Sequence, residues 1–119
     1  MKVILMTASE TKFREWIKKQ CPGACIKKIP DFKQLGSLAV AGLPDYVVFY
    51  NGSTQWWEVK YGFGDTLNLN HFTPAQLVVF NEMLKNGVDV PVFAITKTEG
   101  SQVIYFSEIK AKRFIKFRS

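Results

Sequence analysis

The sequence predicts an α/β domain with a mixed β-sheet and helices packed against it. Segments with helical and strand-like patterns follow one another as helix, three strands, helix and two strands, an order that favours this class. An Asn-Gly pair between two apolar runs predicts a hairpin within the sheet. The 119 residues are 47% hydrophobic, which suits one domain spanning residues 1–119 with a modest core.

The first predicted helix runs from about residue 10 to residue 20. Apolar residues recur there at helical spacing, and Thr7 or Ser9 can cap the helix. A Cys-Pro-Gly run ends it, and residues 24–30 predict a short strand. Residues 31–42 are expected to form a loop, or in part a short apolar insertion.

Two runs rich in Val, Tyr, Phe and Trp, residues 44–50 and 54–61, are predicted to be the hairpin strands. Asn51-Gly52 between them is a strong hairpin signal, because a type I′ turn needs positive φ at both central positions. Two tryptophans and a valine predict that the second of these strands is central in the sheet.

The hairpin is predicted to bring three charged residues onto one face. With the turn at Asn51-Gly52, Asp45 lies opposite Glu58; with the turn moved to Gly52-Ser53, Asp45 lies opposite Lys60. The three side chains share a face in both registers, because paired residues point the same way and strand side chains alternate. A three-residue loop with a bulge would break this parity.

Two carboxylates directly opposite each other destabilise a sheet. Asp45 and Glu58, with Lys60 two residues further on, are tolerable if a cation lies between the carboxylates. Ligation by oxygen alone suits Mg²⁺ or Mn²⁺, which the pattern therefore indicates. The alternative interpretation is a solvated strand face with a salt bridge.

The second half of the chain predicts one more helix and two more strands. Residues 61–71 are expected to form a loop, long enough to suggest a functional role. The helix starts near Thr73 and ends at the Asn-Gly pair that follows Lys85. Residues 90–97 and 102–109 then predict the closing strands.

A net charge of +6 indicates a polyanionic partner, either nucleic acid or an anionic membrane surface. No apolar run approaches the length of a membrane span, and the N-terminal apolar run is too short for a signal peptide, so a cytoplasmic protein is expected. Cys21 and Cys25 are then expected to be reduced and structural. The single histidine, His71, leaves no second ligand pair for zinc and is expected to be a polar loop residue.

Pro44-Asp45, followed after twelve residues by the run Glu58-Val59-Lys60, resembles the signature of the PD-(D/E)xK nuclease superfamily. The resemblance covers roughly residues 9 to 110 of the chain. It implies a restriction-endonuclease-like core, with the element order α-β-β-β-α-β-β, and metal-dependent hydrolysis of phosphodiester bonds in DNA.

Members of this superfamily often carry a glutamate near the start of the helix that precedes the Asp strand. Glu10 and Glu15 both match, but Glu10 lies at the edge of the apolar stripe whereas Glu15 points almost opposite. Glu10 is therefore expected to face the site. The alternative is that it completes a capping box with Thr7, which needs no catalysis.

Residues 72–87 resemble the helix after the catalytic strand in RecU-type Holliday-junction resolvases and in virus-type replication-repair nucleases. That helix often carries a glutamine near its start, which Gln76 matches, and the resemblance implies that Gln76 positions the substrate backbone. Thr73 and Gln76 also form a capping box at a helix N-terminus, a natural seat for phosphate. RecU-type proteins are longer and carry a protruding stalk, whose place only residues 32–42 could take.

The resemblance also implies roles for the hairpin residues. Asp45, Glu58 and the backbone carbonyl of Val59 would hold Mg²⁺ or Mn²⁺, and Glu10 would reach the ion directly or through water. Lys60 would orient or help to activate the attacking water and would offset negative charge on the phosphate.

Basic residues before the site and at the end of the chain are expected to contact DNA phosphates. They are Lys27, Lys28, Lys33, Lys112, Arg113, Lys116 and Arg118. The basic and aromatic tail, residues 110–119, has an alternative interpretation as a solvated amphipathic helix whose Phe114 and Phe117 pack on the domain.

The sequence thus predicts a metal-dependent DNA endonuclease, with resolution of four-way DNA junctions as the favoured activity. A resolvase should be a homodimer, because it must cut two strands symmetrically. The cytoplasm of a bacterial or phage-infected cell is the expected location. The alternatives are a general replication-repair or restriction-type nuclease, a non-catalytic nucleic-acid-binding module, and an interaction protein in which the hairpin charges merely pair.

Overall fold

The computed structural model describes residues 7–30, 41–97 and 100–117, and these contain three α-helices and seven strands. The helices are α1 (Ala8–Gln20), α2 (Pro74–Lys85) and α3 (Phe106–Lys112). The strands are β1 (Cys25–Lys28), β2 (Tyr46–Tyr50), β3 (Ser53–Lys60), β4 (Thr66–Asn68), β5 (Pro91–Ile95), β6 (Ser101–Tyr105) and β7 (Phe114–Lys116).

The main sheet has five strands in the order β1-β2-β3-β5-β6. Strands β3 and β5 run parallel, joined by the crossover that contains α2, and the other neighbours are antiparallel. The predicted α/β class with a mixed sheet is therefore confirmed, and so is the central position of β3.

The turn between β2 and β3 lies at Asn51 and Gly52, with φ of 48° and 78°. These positive angles are those of a type I′ turn, whose twist matches that of the flanking strands. The ladder runs from Tyr50 opposite Ser53 to Tyr46 opposite Trp57. This is the first of the two registers considered from the sequence, and one position beyond the ladder it places Asp45 beside Glu58.

One face of the sheet packs against α1 in a largely aromatic core. Phe13 lies 4.8 Å from the ring of Tyr46 and 5.6 Å from that of Trp57, measured between ring centroids. Ile17, Val48, Val59 and Phe93 complete this cluster of buried side chains. Tilted and edge-to-face aromatic pairs add to the stabilisation that comes from burial alone. This core fixes the position of the first turn of α1 against the start of β2.

The opposite face of the sheet packs against α2 and α3. Phe80 from α2 and Phe106 from α3 meet edge to face at 5.4 Å, and Phe72 contacts both rings. Val92 and Ala94 of β5 belong to this cluster, and they pair with Glu58 and Lys60 of β3. Since paired strand residues point to the same face, Glu58 and Lys60 lie on the α2 side of the sheet.

The prediction of a strand over residues 102–109 is wrong for the second half of this segment. Strand β6 ends at Tyr105, and α3 begins at Phe106. The carboxylate of Asp89 accepts hydrogen bonds from the backbone N–H and the hydroxyl of Ser107, and so satisfies donors in the first turn of α3. This cap comes from 18 positions away in the sequence, where no local pattern signals it.

The loop predicted over residues 61–71 and the basic tail also contain more structure than expected. Strand β4 in the former pairs with β7 in the latter, and the Phe117 N–H donates to the Asp65 carbonyl over 2.7 Å. Phe117 is buried against Phe63, whereas Phe114 is 56% exposed, so only one of the two predicted phenylalanines packs on the domain.

Among the described residues, no helix has the length and apolar character needed to cross a membrane. Cys21 and Cys25 are both free thiols, as expected. Lys33 and Arg118, two of the predicted DNA contacts, lie outside the described residues, as does most of the segment 32–42 compared above with a stalk.

Candidate active site

A cavity of about 250 Å³ opens where β3 ends beside the start of β2. All five residues predicted to be catalytic line it: Glu10, Asp45, Glu58, Lys60 and Gln76. Lys28, one of the predicted DNA contacts, lines it as well. Residues from α1, β1, β2, β3 and α2 therefore converge on one small polar space.

Asp45 and Glu58 are cross-linked through each other's backbone. The Asp45 N–H donates to Oε1 of Glu58 over 3.2 Å, and Oδ2 of Asp45 accepts from the Val59 N–H over 2.9 Å. These bonds continue the hairpin pairing past its last ladder rung, with carboxylates as the acceptors. The two acidic side chains are consequently held next to one another.

Glu58 is 1% exposed, the least accessible carboxyl group of the site. Burial, followed by repulsion from the Asp45 carboxylate, raises the pKa of Glu58 to about 8, and the Lys60 ammonium opposes this rise. A buried carboxyl next to another carboxylate stays protonated unless positive charge compensates it. Lys60 therefore compensates only part of the negative charge that the two carboxyl groups would carry if both were ionised.

The Lys60 ammonium is held by three contacts. Its Nζ lies 3.1 Å from Oε2 of Glu58, donates to Oε1 of Gln76 over 3.1 Å, and sits 4.5 Å from the centroid of the Phe72 ring. A charged group with this many partners is restricted to one position. It lines the cavity beside the carboxylate pair and supplies positive charge there.

Gln76 serves both as the cap of α2 and as part of the site. Its Oε1 accepts from the Thr73 N–H while Thr73 Oγ1 accepts from the Gln76 N–H, which completes the predicted capping box. Its Nε2 donates to Oε2 of Glu58 over 2.9 Å. Because the oxygen is occupied by two donors, the orientation of the amide is fixed by the network.

Glu10 does not form the capping box that was the alternative to a role in the site. The Glu10 N–H donates to Thr7 Oγ1, but the carboxylate turns away and accepts from the Tyr46 hydroxyl over 3.1 Å. Lys28 Nζ lies 3.4 Å from the same oxygen of Glu10. Glu15, the other candidate, is exposed on the outer side of α1.

The site has two sides that meet at Asp45. Glu10, Lys28 and Tyr46 approach from the α1 side of the sheet, whereas Glu58, Lys60 and Gln76 approach from the α2 side. Within the described ranges, no three His, Cys, Asp or Glu side chains form a metal-binding group. The Glu10 carboxylate is engaged with Tyr46 and Lys28, whereas the carboxylates of Asp45 and Glu58 lie next to one another.

A hard divalent ion fits this pair. The contacts described above use three acceptor positions on Glu58 and one on Asp45. An ionised carboxylate offers about four such positions, so both side chains keep acceptor positions for a metal ion. An extended residue directs its N–H and C=O to the same side of its strand. The Val59 carbonyl therefore points toward Asp45, as its N–H does, and is the natural third oxygen ligand.

Tyr46 was missed by the sequence analysis. Its ring is fully buried, and burial followed by the Glu10 carboxylate raises the pKa of the Tyr46 hydroxyl to about 12. Arg14 and Lys28 lie over the same ring at 5.4 and 5.2 Å from its centroid. The pairing of Lys28 with Tyr46 in the β1–β2 ladder could have placed both residues beside Glu10, had the β1 register been derived.

The remaining predicted DNA contacts lie outside the cavity lining. Lys27 is exposed on β1, and Lys112 forms an ion pair with Glu108 over 2.9 Å. Arg113 and Lys116 are exposed around β7. The structure thus brings one predicted phosphate contact, Lys28, into the site, and a phosphate-binding role for the others stays a prediction.

His71 caps the short 3₁₀-helix Leu69–His71 instead of facing the cavity. Its Nδ1 accepts from the Asn68 N–H over 3.1 Å, and its ring lies 5.7 Å from that of Phe63. These contacts are those of a polar loop residue, the role expected from the sequence.

A comparison of the chain with protein-family models finds no match, and a comparison with curated proteins finds none either. The case for a function therefore depends on the geometry of the site and on the motif.

Proposed function

We propose that this protein is a divalent-metal-dependent DNA endonuclease of the PD-(D/E)xK type. One observation carries the proposal: a buried carboxylate, Glu58, is cross-linked to Asp45 at the end of the central hairpin, with the Lys60 ammonium 3.1 Å away in the same open cavity. A purely structural ion pair gains little from burying two acids next to one lysine, since the second acid stays uncompensated.

Each side chain has a defined task in this proposal. Asp45, Glu58 and the Val59 carbonyl would hold Mg²⁺ or Mn²⁺, the ions that suit oxygen ligands. A bound ion would polarise the scissile phosphate and lower the pKa of the attacking water. Lys60 orients that water and offsets negative charge on the phosphate. Gln76 holds the side chains of Lys60 and Glu58 in position through its hydrogen bonds to both.

Four-way-junction resolution by a homodimer is the specific activity that the RecU-type resemblance favours. The cavity geometry supports phosphodiester hydrolysis in general, so a replication-repair or restriction-type nuclease is the nearest alternative within the class. The described polar side chains of the cavity are engaged with one another and are not arranged as a donor and acceptor pattern for base edges, which favours selection of DNA structure over sequence.

The test incubates the protein with Mg²⁺ or Mn²⁺ and end-labelled four-way junction, linear duplex, flap and single-stranded DNA. Lys60→Ala is expected to lower the cleavage rate by about 10²-fold or more, as loss of a group that positions a reacting water does. Lys85→Ala is the matched control, because Lys85 is an exposed lysine at the far end of α2.

The pattern of products separates the candidates. Paired symmetric nicks on the junction alone would establish a resolvase, and cleavage of several substrates would establish a less selective nuclease. Junction binding without cleavage in either metal would replace the catalytic proposal with the nucleic-acid-binding module.

A further inference from the structure

A second and larger cavity, of about 680 Å³, adjoins the candidate active site. The two cavities share Ser9 and Tyr61 in their linings, so they form one continuous depression along the end of the sheet. We call the larger part the Tyr61 groove; it lies between the first turn of α1, the chain leaving β3 and the end of β5.

Tyr61 presents its ring to solvent immediately after the candidate catalytic lysine. Its side chain is 58% exposed, and among the described residues it makes no hydrogen bond and no ring contact. Gly62 follows with φ of 75°, so the backbone turns away directly behind the tyrosine. An aromatic ring displayed in this way offers a flat apolar surface within one residue of Lys60.

The charged side chains among the described residues that line the groove are all positive. Lys12 and Lys97 line it, and none of the described lining residues is acidic. Phe63 and Ile95 are apolar residues that line it as well. Proteins that bind single-stranded nucleic acid without regard to sequence combine a positively charged groove, which follows the phosphate backbone of the nucleic acid, with aromatic side chains on which bases stack.

We propose that the Tyr61 groove binds unpaired DNA nucleotides next to the scissile phosphate, with one base stacked on Tyr61 and the backbone directed toward Lys97. This inference rests on the proposed nuclease function and narrows its substrate class. A strand in a continuous duplex keeps its bases stacked on their neighbours, so the preferred substrate is a flap or other branched DNA with a single-stranded arm beside the cut. Within the proposed nuclease class, this favours the replication-repair alternative over resolution of a fully paired four-way junction.

The test measures DNA affinity in EDTA, where no metal-dependent cleavage occurs. The probes are a blunt duplex and the same duplex carrying a short single-stranded overhang. Wild type is expected to bind the overhang about tenfold more tightly, and Tyr61→Leu is expected to lose that preference, because stacking on an aromatic side chain contributes about that much per base. Tyr61→Phe keeps the ring and is expected to keep the preference.

Tyr105→Leu is the matched control, because Tyr105 is also an exposed tyrosine (50%) but lines a different cavity, beside Trp56. It is expected to leave the preference for the overhang unchanged. Lys97→Gln is expected to reduce the slope of log affinity for the overhang against log salt by about 0.7, the value for one phosphate contact to a single strand.

Equal binding of the two probes by wild type, or an undiminished preference in Tyr61→Leu, would overturn the inference. A preference that depends on Tyr61, in a protein that cuts nothing in Mg²⁺ or Mn²⁺, would overturn the proposed nuclease and retain the single-strand site. Absence of any DNA binding would overturn both.

Discussion

The side-chain amide of Gln76 donates to the carboxylate of Glu58 over 2.9 Å, and so ties the first turn of α2 to the end of the central strand. The same amide oxygen accepts from Lys60 and from the backbone of Thr73. One residue therefore connects helix capping to the arrangement of the candidate catalytic groups, and substitutions can separate the two roles.

Gln76→Glu is expected to keep the cap and damage the site. Glutamate is an ordinary partner in a capping box, so the cap of α2 should persist, and any fall in the melting temperature should come from the new carboxylate beside buried Glu58. The donor to Glu58 is lost and a third acid is introduced, so the rate of metal-dependent cleavage should fall by roughly 10- to 100-fold, as for other groups that orient a metal ligand. Melting curves and cleavage rates on one preparation measure both effects.

Thr73→Ala provides the opposite case for the same helix terminus. It removes the hydroxyl that accepts from the Gln76 N–H, which should lower the free energy of unfolding by about 1 kcal/mol. Cleavage by the folded protein should be nearly unchanged. If the two variants instead lose activity in proportion to stability, Gln76 is only a capping residue.

The raised pKa of Glu58 predicts that the free energy of unfolding of the metal-free protein depends on pH. The fold raises the pKa of this carboxyl from 4.5 to about 8, so the folded state binds the proton more tightly than the unfolded state does. The associated stabilisation is complete below about pH 4.5 and is lost as pH rises to about 8. Urea unfolding in EDTA between pH 5 and pH 9 should show this decline.

Glu58→Gln should remove that decline, since an amide does not titrate. Mg²⁺ or Mn²⁺ should also reduce it in wild type, because a bound cation stabilises the ionised carboxylate. A wild-type profile that superimposes on the Glu58→Gln profile at every pH would show that Glu58 ionises as readily in the folded chain as in the unfolded one.

Glu10→Gln tests whether Glu10 holds the metal or holds Lys28. The structure pairs its carboxylate with Lys28 and with the Tyr46 hydroxyl, and glutamine can still accept from the hydroxyl. We therefore expect the Mn²⁺ affinity, measured by calorimetry, to stay within about twofold, since no direct ligand is lost. DNA affinity in EDTA should rise, because the substitution removes the negative charge that is paired with Lys28.

Glu15→Gln is the control for that substitution, because it makes the same change of charge on the exposed side of α1. A loss of Mn²⁺ affinity in Glu10→Gln that Glu15→Gln does not share would instead assign Glu10 to the metal, through water.

Gly42→Ala is expected to disturb the site from outside it. Gly42 has φ of 91°, and a Cβ there would lie 2.9 Å from the Gln76 backbone nitrogen and closer still to the Ala75 carbonyl. The strained backbone and the displaced helix turn should lower the free energy of unfolding by roughly 1–3 kcal/mol. Cleavage should fall more than stability alone explains.

Gly64→Ala is the matched control, since a Cβ at Gly64 would contact no described atom within 4 Å. Chemical denaturation and cleavage rates of the two variants check the expectation. Equal behaviour of the two would mean that the first turn of α2 accommodates the added methyl group without moving Gln76.

The hairpin and its charges were predictable because local rules determine them. Asn51-Gly52 specifies the turn, the turn specifies the register, and the register places Asp45 beside Glu58. The capping box of α2 was predictable for the same reason, since Thr73 and Gln76 are three residues apart. Each of these features is encoded within about fifteen residues of sequence.

The features that the sequence did not reveal depend on contacts between distant segments. The pairing of β4 with β7 joins residues about fifty positions apart, and neither strand has a distinctive pattern of its own. The boundary at Tyr105 and Phe106 depends on a cap from Asp89. The partners of Glu10 depend on the register of β1 against β2, which the short sequence of β1 does not specify by itself.

The tight turn at Asn51-Gly52 also has a consequence for the order in which the chain assembles. Two-stranded hairpins form in roughly 1–10 μs, far ahead of contacts that require a helix to dock or a parallel strand to arrive. We therefore expect Asp45 and Glu58 to be brought together early in folding, before Gln76 arrives with α2. For that interval the nascent hairpin would carry mutual repulsion between its two acids, so the divalent ion of the proposed function, by offsetting that repulsion, would be expected to speed folding as well as to stabilise the folded protein.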